Sequence, residues 1–512
     1  MKTNRKKWLI FVMGLAVLPM SLLGAADVSA APQGVLKEAI HFGISAEFLD
    51  PASGGHSVAA HLSLYLLHDS LVKPMPDGTY GASLAESWKV SPDAKMTEFK
   101  LRKGVKFHNG DTMTAEDVVF SYWRYRAAQA KILHSRTEKV EAVNPLLVRF
   151  HFKEPFPDFL EYLLPGATTI GWVVPKKYVE KVGDAGFRKN PVGAGPYKFV
   201  EFVPGVRLVG EAFEDFWRKV PKIKRLECYY IPDMATRLVM AKRGEMDIAS
   251  QIGGVFYEEL KKTQNLRLMA PWSPTRWLLY FTTQWDPNSP WSNPKVRKAA
   301  SLAIDRKTLA DTHQPGSGPI GVLSLPGDPM GADFPPDPYD PEGAKRLLAE
   351  AGYPKGFHSG KFYPNQSGLW PYGEQVATYW KAIGITVDLV LLDKAARFAL
   401  REGGKMKGGV FIDSAIAPTI GGALAYLFVA GSYGTYPDIQ ALWEKYRKEV
   451  SFQGRKDIVG RIQKELYDRS IVVPLTSSKS AAAVGPRVKG NPYLVQPLIH
   501  FTAPFEDLEL VK

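Results

Sequence analysis

Residues 222–231 read KIKRLECYYI, an alternation of apolar and polar positions that predicts a strand. Asp233 then stands where a helix cap belongs and apolar spacing continues to Lys242. Gly244 offers a stop, and Met246-Asp247-Ile248 begins a second strand. The same grammar recurs later. Residues 374–383 have helical spacing, Gly384 occupies the position after the helix, and residues 385–392 (ITVDLVLL) alternate like a strand. Strands alternating with helices in two separate regions predict α/β architecture. Between them, Asn293-Pro294 caps a helix with Val296, Ala300, Ala303 and Ile304 on one side, and Asp340-Pro341 caps another that Gly352 ends. Residues 311–340 and 414–438 read as long irregular stretches, and no internal repeat interrupts the chain.

Residues 101–122, LRKGVKFHNGDTMTAEDVVFSY, place His108, Asp111, Glu116 and Asp117 close together and raise the question of a metal or acid/base site. The local pattern assigns each residue a structural task instead. Phe99 and Leu101 on one side of Arg102-Lys103-Gly104, and Val105 and Phe107 on the other, predict a hairpin, with Asn109-Gly110 as a turn. Thr114-x-x-Asp117 is a capping box, and Val118, Val119 and Tyr122 begin the apolar face of a helix. Glu116 and Asp117 then lie in the first helical turn, where the helix dipole favours negative charge. One imidazole is too few for a metal centre, so neither a metal nor a cofactor is expected.

Length changes the picture first: 512 residues, 45% of them hydrophobic, suffice for about three domains. Lys2, Arg5, Lys6 and Lys7 precede an apolar run from Trp8 to Leu18, and Val28-Ser29-Ala30 supplies small residues, the order of a cleavable export signal over 1–30. Pro19 and Gly24 interrupt the run before it reaches the ~20 residues of a membrane span. The formal charge is +13; removing the signal's four Lys/Arg and one Asp leaves 61 basic against 51 acidic residues, or +10. Basic and acidic residues interleave, as in 219–227, so nucleic-acid binding is not expected. Cys228 is the one cysteine, which excludes an intramolecular disulfide and leaves no lipid anchor near the cleavage site. A soluble exported protein, most simply periplasmic, follows.

Catalytic signatures fail on context. Gly316-Ser317-Gly318-Pro319-Ile320-Gly321 matches a dinucleotide-binding spacing but follows a helix and carries proline where the phosphate-binding helix starts. Ser70-Leu71-Val72-Lys73 lacks its companion motifs, and no nucleophile elbow, zinc-protease motif or phosphate-binding loop occurs. A secreted hydrolase remains the alternative of another class, since catalytic residues converge from distant positions.

Leu49-Asp50-Pro51, Leu84-Ala85-Glu86-Ser87-Trp88, the stretch at 101–122, residues 190–197 (NPVGAGPY), Val296-Arg297 with Ala303-Ile304-Asp305-Arg306, and residues 347–353 (LLAEAGY) run in one order along the chain. Together they resemble the family 5 extracellular solute-binding proteins, the oligopeptide-, dipeptide- and nickel-type receptors of ABC importers. The resemblance implies a two-lobed α/β periplasmic binding protein, type II and cluster C-like, with an additional domain on the first lobe. The expected parts are a signal at 1–30, lobe I at 31–75, 190–272 and 480–512, a peripheral domain at 76–189, and lobe II at 273–479. It implies a monomer that captures a solute by lobe closure and delivers it to an inner-membrane permease driven by separate ATPase subunits.

The family's peptide receptors hold the ligand ammonium with the second aspartate of W-x-x-D-x-x-D-P. Here the matching stretch, 411–418, carries Ser414 and Ala417 at the acidic positions and leaves Asp413 as its one carboxylate. A small organic solute is therefore expected in place of an ordinary peptide, with a di- or oligopeptide receptor as the alternative. The candidate ligand contacts are His56, Trp277, Asn365, Trp370, Phe411, Asp413 and Tyr433, aromatic surface with a few polar anchors.

Overall fold

A computed structural model describes residues 31–512 except 54–57, 76–77, 127, 164–169, 314, 325–327, 365–369, 393–407, 418, 429–435, 480, 493–504 and 512, and for Trp370 it describes the backbone alone. The export signal thus lies outside the described residues. The protein is a two-lobed α/β structure built on three main sheets.

The first lobe's sheet has seven strands, in the order Arg267–Met269, Ala482–Val484, Ile248–Ala249, Gln33–Ile40, Ile223–Tyr230, Arg207–Ala212 and Tyr197–Val203. Gln33–Ile40 sits at its centre, parallel to Ile223–Tyr230 on one side and Ile248–Ala249 on the other. The predicted β-α-β unit is this pair of outer partners. Asp233 caps helix Met234–Lys242 by accepting the Thr236 amide at 2.7 Å, and Gly244 follows with φ of +71°. The second lobe's sheet has five strands, ordered Ile385–Leu389, Phe357–Tyr363, Gly409–Ile416, Trp272–Phe281 and Val472–Lys479. Helix Trp370–Ala382 leads into it through Gly384, whose φ of +92° suits the residue after a helix. Apolar side chains cover both faces of this sheet, as expected for strands buried between helices.

The third sheet is antiparallel, in the order Ala85–Val90, Met96–Leu101, Leu147–Phe152 and Thr137–Asn144, with a core of its own. Here a local expectation fails. Met96–Leu101 pairs with Ala85–Val90 and Leu147–Phe152, not with residues 105–107. Val105 and Phe107 are buried as loop residues, and Gly104, with φ of +77°, turns the chain out of the sheet. The Asn109-Gly110 turn does form, closed by a Lys106–Thr112 bridge, and Asp117 accepts from both the Thr114 amide and hydroxyl ahead of helix Ala115–Arg124. A second expectation fails at 414–438, which contains helix Ile420–Phe428. Its sequence, IGGALAYLF, is apolar all round, so no helical period separates it from a loop; Thr419 accepts the Gly422 amide at its start.

The chain passes between the two lobes' sheets twice, between Met269 and Trp272 and between Lys479 and Ala482. The strands on either side are antiparallel partners, Met269 with Ala482 and Trp272 with Lys479. Two adjacent crossings are the covalent arrangement of a hinge.

Candidate functional site

Strand directions decide where a ligand can sit. In the second lobe, Trp272 and Lys479 mark the end facing the first lobe, and the pairings Thr275–Ile416 and Phe411–Tyr363 put the carboxyl ends of Gly409–Ile416 and Phe357–Tyr363 at that same end. In the first lobe, Ala482 marks the facing end, and the pairing Ala249–Ala483 puts the carboxyl ends of Ile248–Ala249, Gln33–Ile40 and Ile223–Tyr230 there too. The parallel strands of both sheets therefore point their carboxyl ends into one interlobe space, where open α/β sheets bind ligands.

Two buried arginines shape its walls. Arg237 donates to the carbonyls of Ile231, Pro232, Ser250 and Gln251 at 2.7–2.9 Å, tying together the loops that leave two first-lobe strands. Across the cleft, Arg276 donates to the Ala417 carbonyl at 2.7 Å and to that of Leu323, holding two second-lobe loops. Burial pulls both guanidinium groups down to about 10. Around the strand ends lie hydroxyls: Trp277 donates its indole N–H to Ser478 at 2.7 Å, Ser273 meets Thr275 at 2.8 Å, and Tyr372 meets Thr476 at 3.0 Å.

Of the residues singled out by sequence, Trp277 is half-buried in the middle of its strand, opposite Ser414, on the face that packs against the cluster of Leu279 and Phe281. Phe411 is buried on the opposite face, stacked on Tyr363 with centroids 4.4 Å apart. Asp413 shares the Phe411 face and is 1% exposed; its carboxylate accepts the Ser414 amide at 2.6 Å. Trp370 opens helix Trp370–Ala382, while His56, Asn365 and Tyr433 lie outside the described residues. Sequence reasoning missed Arg237, Arg276 and the hydroxyls. A lone arginine ahead of the apolar run LLYF is the one signal that marks Arg276, since a strand position facing helices does not ordinarily take a cation.

The cluster around His108 resolves as a joint. Its Nδ1 accepts the Gly193 amide at 3.3 Å, so Nε2 carries the proton and donates to the Gly195 carbonyl at 3.0 Å. Desolvation pushes its pKa down to about 3, which keeps the ring neutral. A Cβ on Gly195 would lie 2.5 Å from the Leu67 carbonyl carbon, and one on Gly193 would overlap the Leu67 oxygen, so only glycine allows this approach. Among the described residues no three His, Cys, Asp or Glu side chains converge as a metal site, and no helix is long and apolar enough to cross a membrane.

A hinge of two strands, two α/β lobes and a shared space at their strand ends define a two-lobed binding protein. Residues 79–418 match the model of the bacterial extracellular solute-binding proteins, family 5 Middle, and the chain belongs to that family. It is similar to heme-binding protein A of Haemophilus influenzae, 26% identical over 451 residues that cover 80% of this chain and 81% of that protein. It is also similar to glutathione-binding protein GsiB of Pectobacterium atrosepticum, 29% identical over 419 residues, 77% and 78% of the two chains. The crystal structure of the ABC transporter substrate-binding protein CtaP of Listeria monocytogenes shares the fold, with a TM-score of 0.80 and 23% identity over 94% of this chain and 100% of that one. The chain is a solute-binding receptor of an ABC importer, and its family binds small solutes or peptides in concert with permease and ATPase components.

Proposed function

We propose that the chain is exported, loses its signal near Ala30, and works in the periplasm as a monomeric receptor for a small organic solute other than an ordinary peptide, with no catalysis of its own. The proposed lobe borders fall at 75/76, 189/190, 272/273 and 479/480. Solute enters between the lobes and meets Trp277, together with His56, Asn365, Trp370 and Tyr433. Phe411 and Asp413 back the strand that carries this wall.

One observation carries the choice of solute. Ala417, at the position that resembles the peptide receptors' ammonium anchor, is buried against the helix that begins at Ile420, and its carbonyl is held by the Arg276 guanidinium. A peptide ammonium arriving there meets the Arg276 guanidinium, and the nearby carboxylate, Asp328, is already engaged by that cation's charge and by the Ile420 amide at 2.6 Å. Desolvating the ammonium without a counter-charge costs several kcal/mol, on the order of 3 to 5 for a broken buried pair. The name of one relative above, heme, fits this reading, and that of the other, glutathione, a tripeptide with a free α-ammonium, fits the peptide alternative.

Calorimetric titration of the mature protein with a mixed di- to pentapeptide library tests it, beside native mass spectrometry of protein purified from its host. The expected result is no micromolar peptide binding and a retained non-peptide mass. Micromolar binding of ordinary peptides, abolished by Asp413→Ala, overturns the proposal in favour of the peptide receptor. A bound solute released chemically altered at a catalytic rate favours the hydrolase.

A further inference from the structure

The four-stranded peripheral domain touches the second lobe through charged side chains. Glu161, on helix Phe159–Leu163, accepts the Thr419 hydroxyl at 2.8 Å through one oxygen and Arg455 Nη2 at 3.3 Å through the other. Arg455 is held in turn by the Tyr446 hydroxyl at 2.5 Å. Beside this pair, Arg136 of the peripheral domain lies 3.5 Å from Asp158 and donates to the Arg447 carbonyl across the gap at 3.3 Å, while Arg447 stands 3.8 Å from Glu154. Tyr162 on the peripheral side, and Asp328 and Glu444 on the second lobe, the last 3.2 Å from Arg447, also act on this cluster. Among the described residues, three arginines thus meet five carboxylates, and bonds across the gap join residues 294 and 311 positions apart in sequence.

The chemistry of this contact differs from that of a permanent interface. Among the described residues, the apolar cluster beneath the four-stranded sheet and the one beneath the second lobe's helices share no member. Separating the two bodies therefore exposes polar groups, which water solvates, and little hydrocarbon. When they meet, Glu161 and Arg455 keep only 13% and 10% of their side-chain exposure, so each needs the other.

We propose that Glu161 and Arg455 form a closure latch: they set the fraction of solute-free receptor that is closed, and so its affinity, without touching the solute. A solute that binds only the closed form has its apparent affinity scaled by the closed fraction. Thr419, which donates to Glu161, directly follows the 411–418 stretch, so the latch and the cleft wall move together. The inference rests on the two-lobed receptor but not on the solute's identity, and its test uses no solute.

Small-angle X-ray scattering of the mature chain, stripped of solute by unfolding and refolding, reads the closed fraction. Wild type should scatter as the compact form, near the ~23 Å radius of gyration of a compact chain of this length. Glu161→Ala and Arg455→Ala should each lower the closed fraction at least about tenfold by leaving one buried charge unpaired, with a measurable increase in radius. The double variant should return toward wild type because neither charge then remains. Glu161→Gln, which keeps the Thr419 contact, should fall between, and stands in if the alanine variant does not fold. Single variants that scatter as wild type, a double variant as expanded as the two singles combined, or a stripped wild type already as open as the variants would each overturn the latch.

Discussion

The peripheral domain makes two ionic junctions, and they are built differently. Toward the first lobe, Arg124 forms a two-pronged pair with Asp50, both distances 2.6 Å, and also reaches Asp184. That junction is reinforced by apolar continuity, since Trp172 belongs to the first lobe's core while its neighbours Ile170 and Val173 belong to the peripheral one. Toward the second lobe, the Glu161–Arg455 pair has one contact at 3.3 Å and Nε of Arg455 is buried without a hydrogen-bond partner among the described atoms, while Arg136 spends its ion pairs on Glu154 and Asp158 of its own domain, at 3.1 and 3.5 Å. The same residue types therefore serve one fixed joint and one separable contact. Geometry and the presence of shared hydrocarbon make the difference, because a bidentate pair inside a packed core cannot be hydrated without unfolding it.

Acid gives the largest expected effect on the fixed joint. His108 has its pKa lowered to about 3 in the folded protein against an ordinary value of 6.5, so its contribution to stability is full above pH 6.5 and is lost as pH falls toward 3. The full loss amounts to about 5 kcal/mol. From pH 7 to 4 the urea midpoint of wild type should fall relative to that of His108→Gln, because glutamine can keep both hydrogen bonds without titrating; parallel pH profiles would remove His108 from the joint. Arg124→Ala comes next. It strands Asp50, which is 1% exposed, and should cost about 3 kcal/mol, the low end for a broken buried pair because the Ala52 amide still bonds the carboxylate. A loss below ~1 kcal/mol in denaturant titration would place this pair with the separable kind. Smallest is Glu161→Ala read by the same titration. Its junction opens instead of straining the core, so global stability should fall only by about 1.4 kcal/mol, the equivalent of a tenfold shift in closure, even as scattering reports expansion. A large loss there would erase the distinction between the two junctions.

Much of the fold was legible wherever neighbouring residues decide it. The capping box at Thr114 and Asp117, the turn at Asn109-Gly110, the caps at Asn293 and Asp340 and the β-α-β unit around Asp233 each form as read. The strand at 385–392 is shorter, ending at Leu389. The hairpin expected across Gly104 did not form because Met96–Leu101 finds a better partner about 50 residues onward, in Leu147–Phe152, where Phe99 meets Val148 inside a core. Of the candidate site, Trp277 and Phe411 stand on paired strands, and the period-2 alternation that marks a strand does not say which face meets helices. Phe411 and Asp413 share the face opposite Trp277 for that reason.

The sequence by itself determined the export signal's composition, the helix caps, the glycine-dependent turns and the absence of carboxylates at 414 and 417, since each is a property of a few adjacent residues and their backbone preferences. Only the tertiary structure decided that Arg276 would hold the Ala417 carbonyl, that His108 would bond to Gly193 and Gly195, and that Glu161 would meet Arg455, 294 positions away. A charge or a ring carries no address: its partner is whichever group the packed sheets bring within about 3 Å, and that distance exists only once the chain has folded.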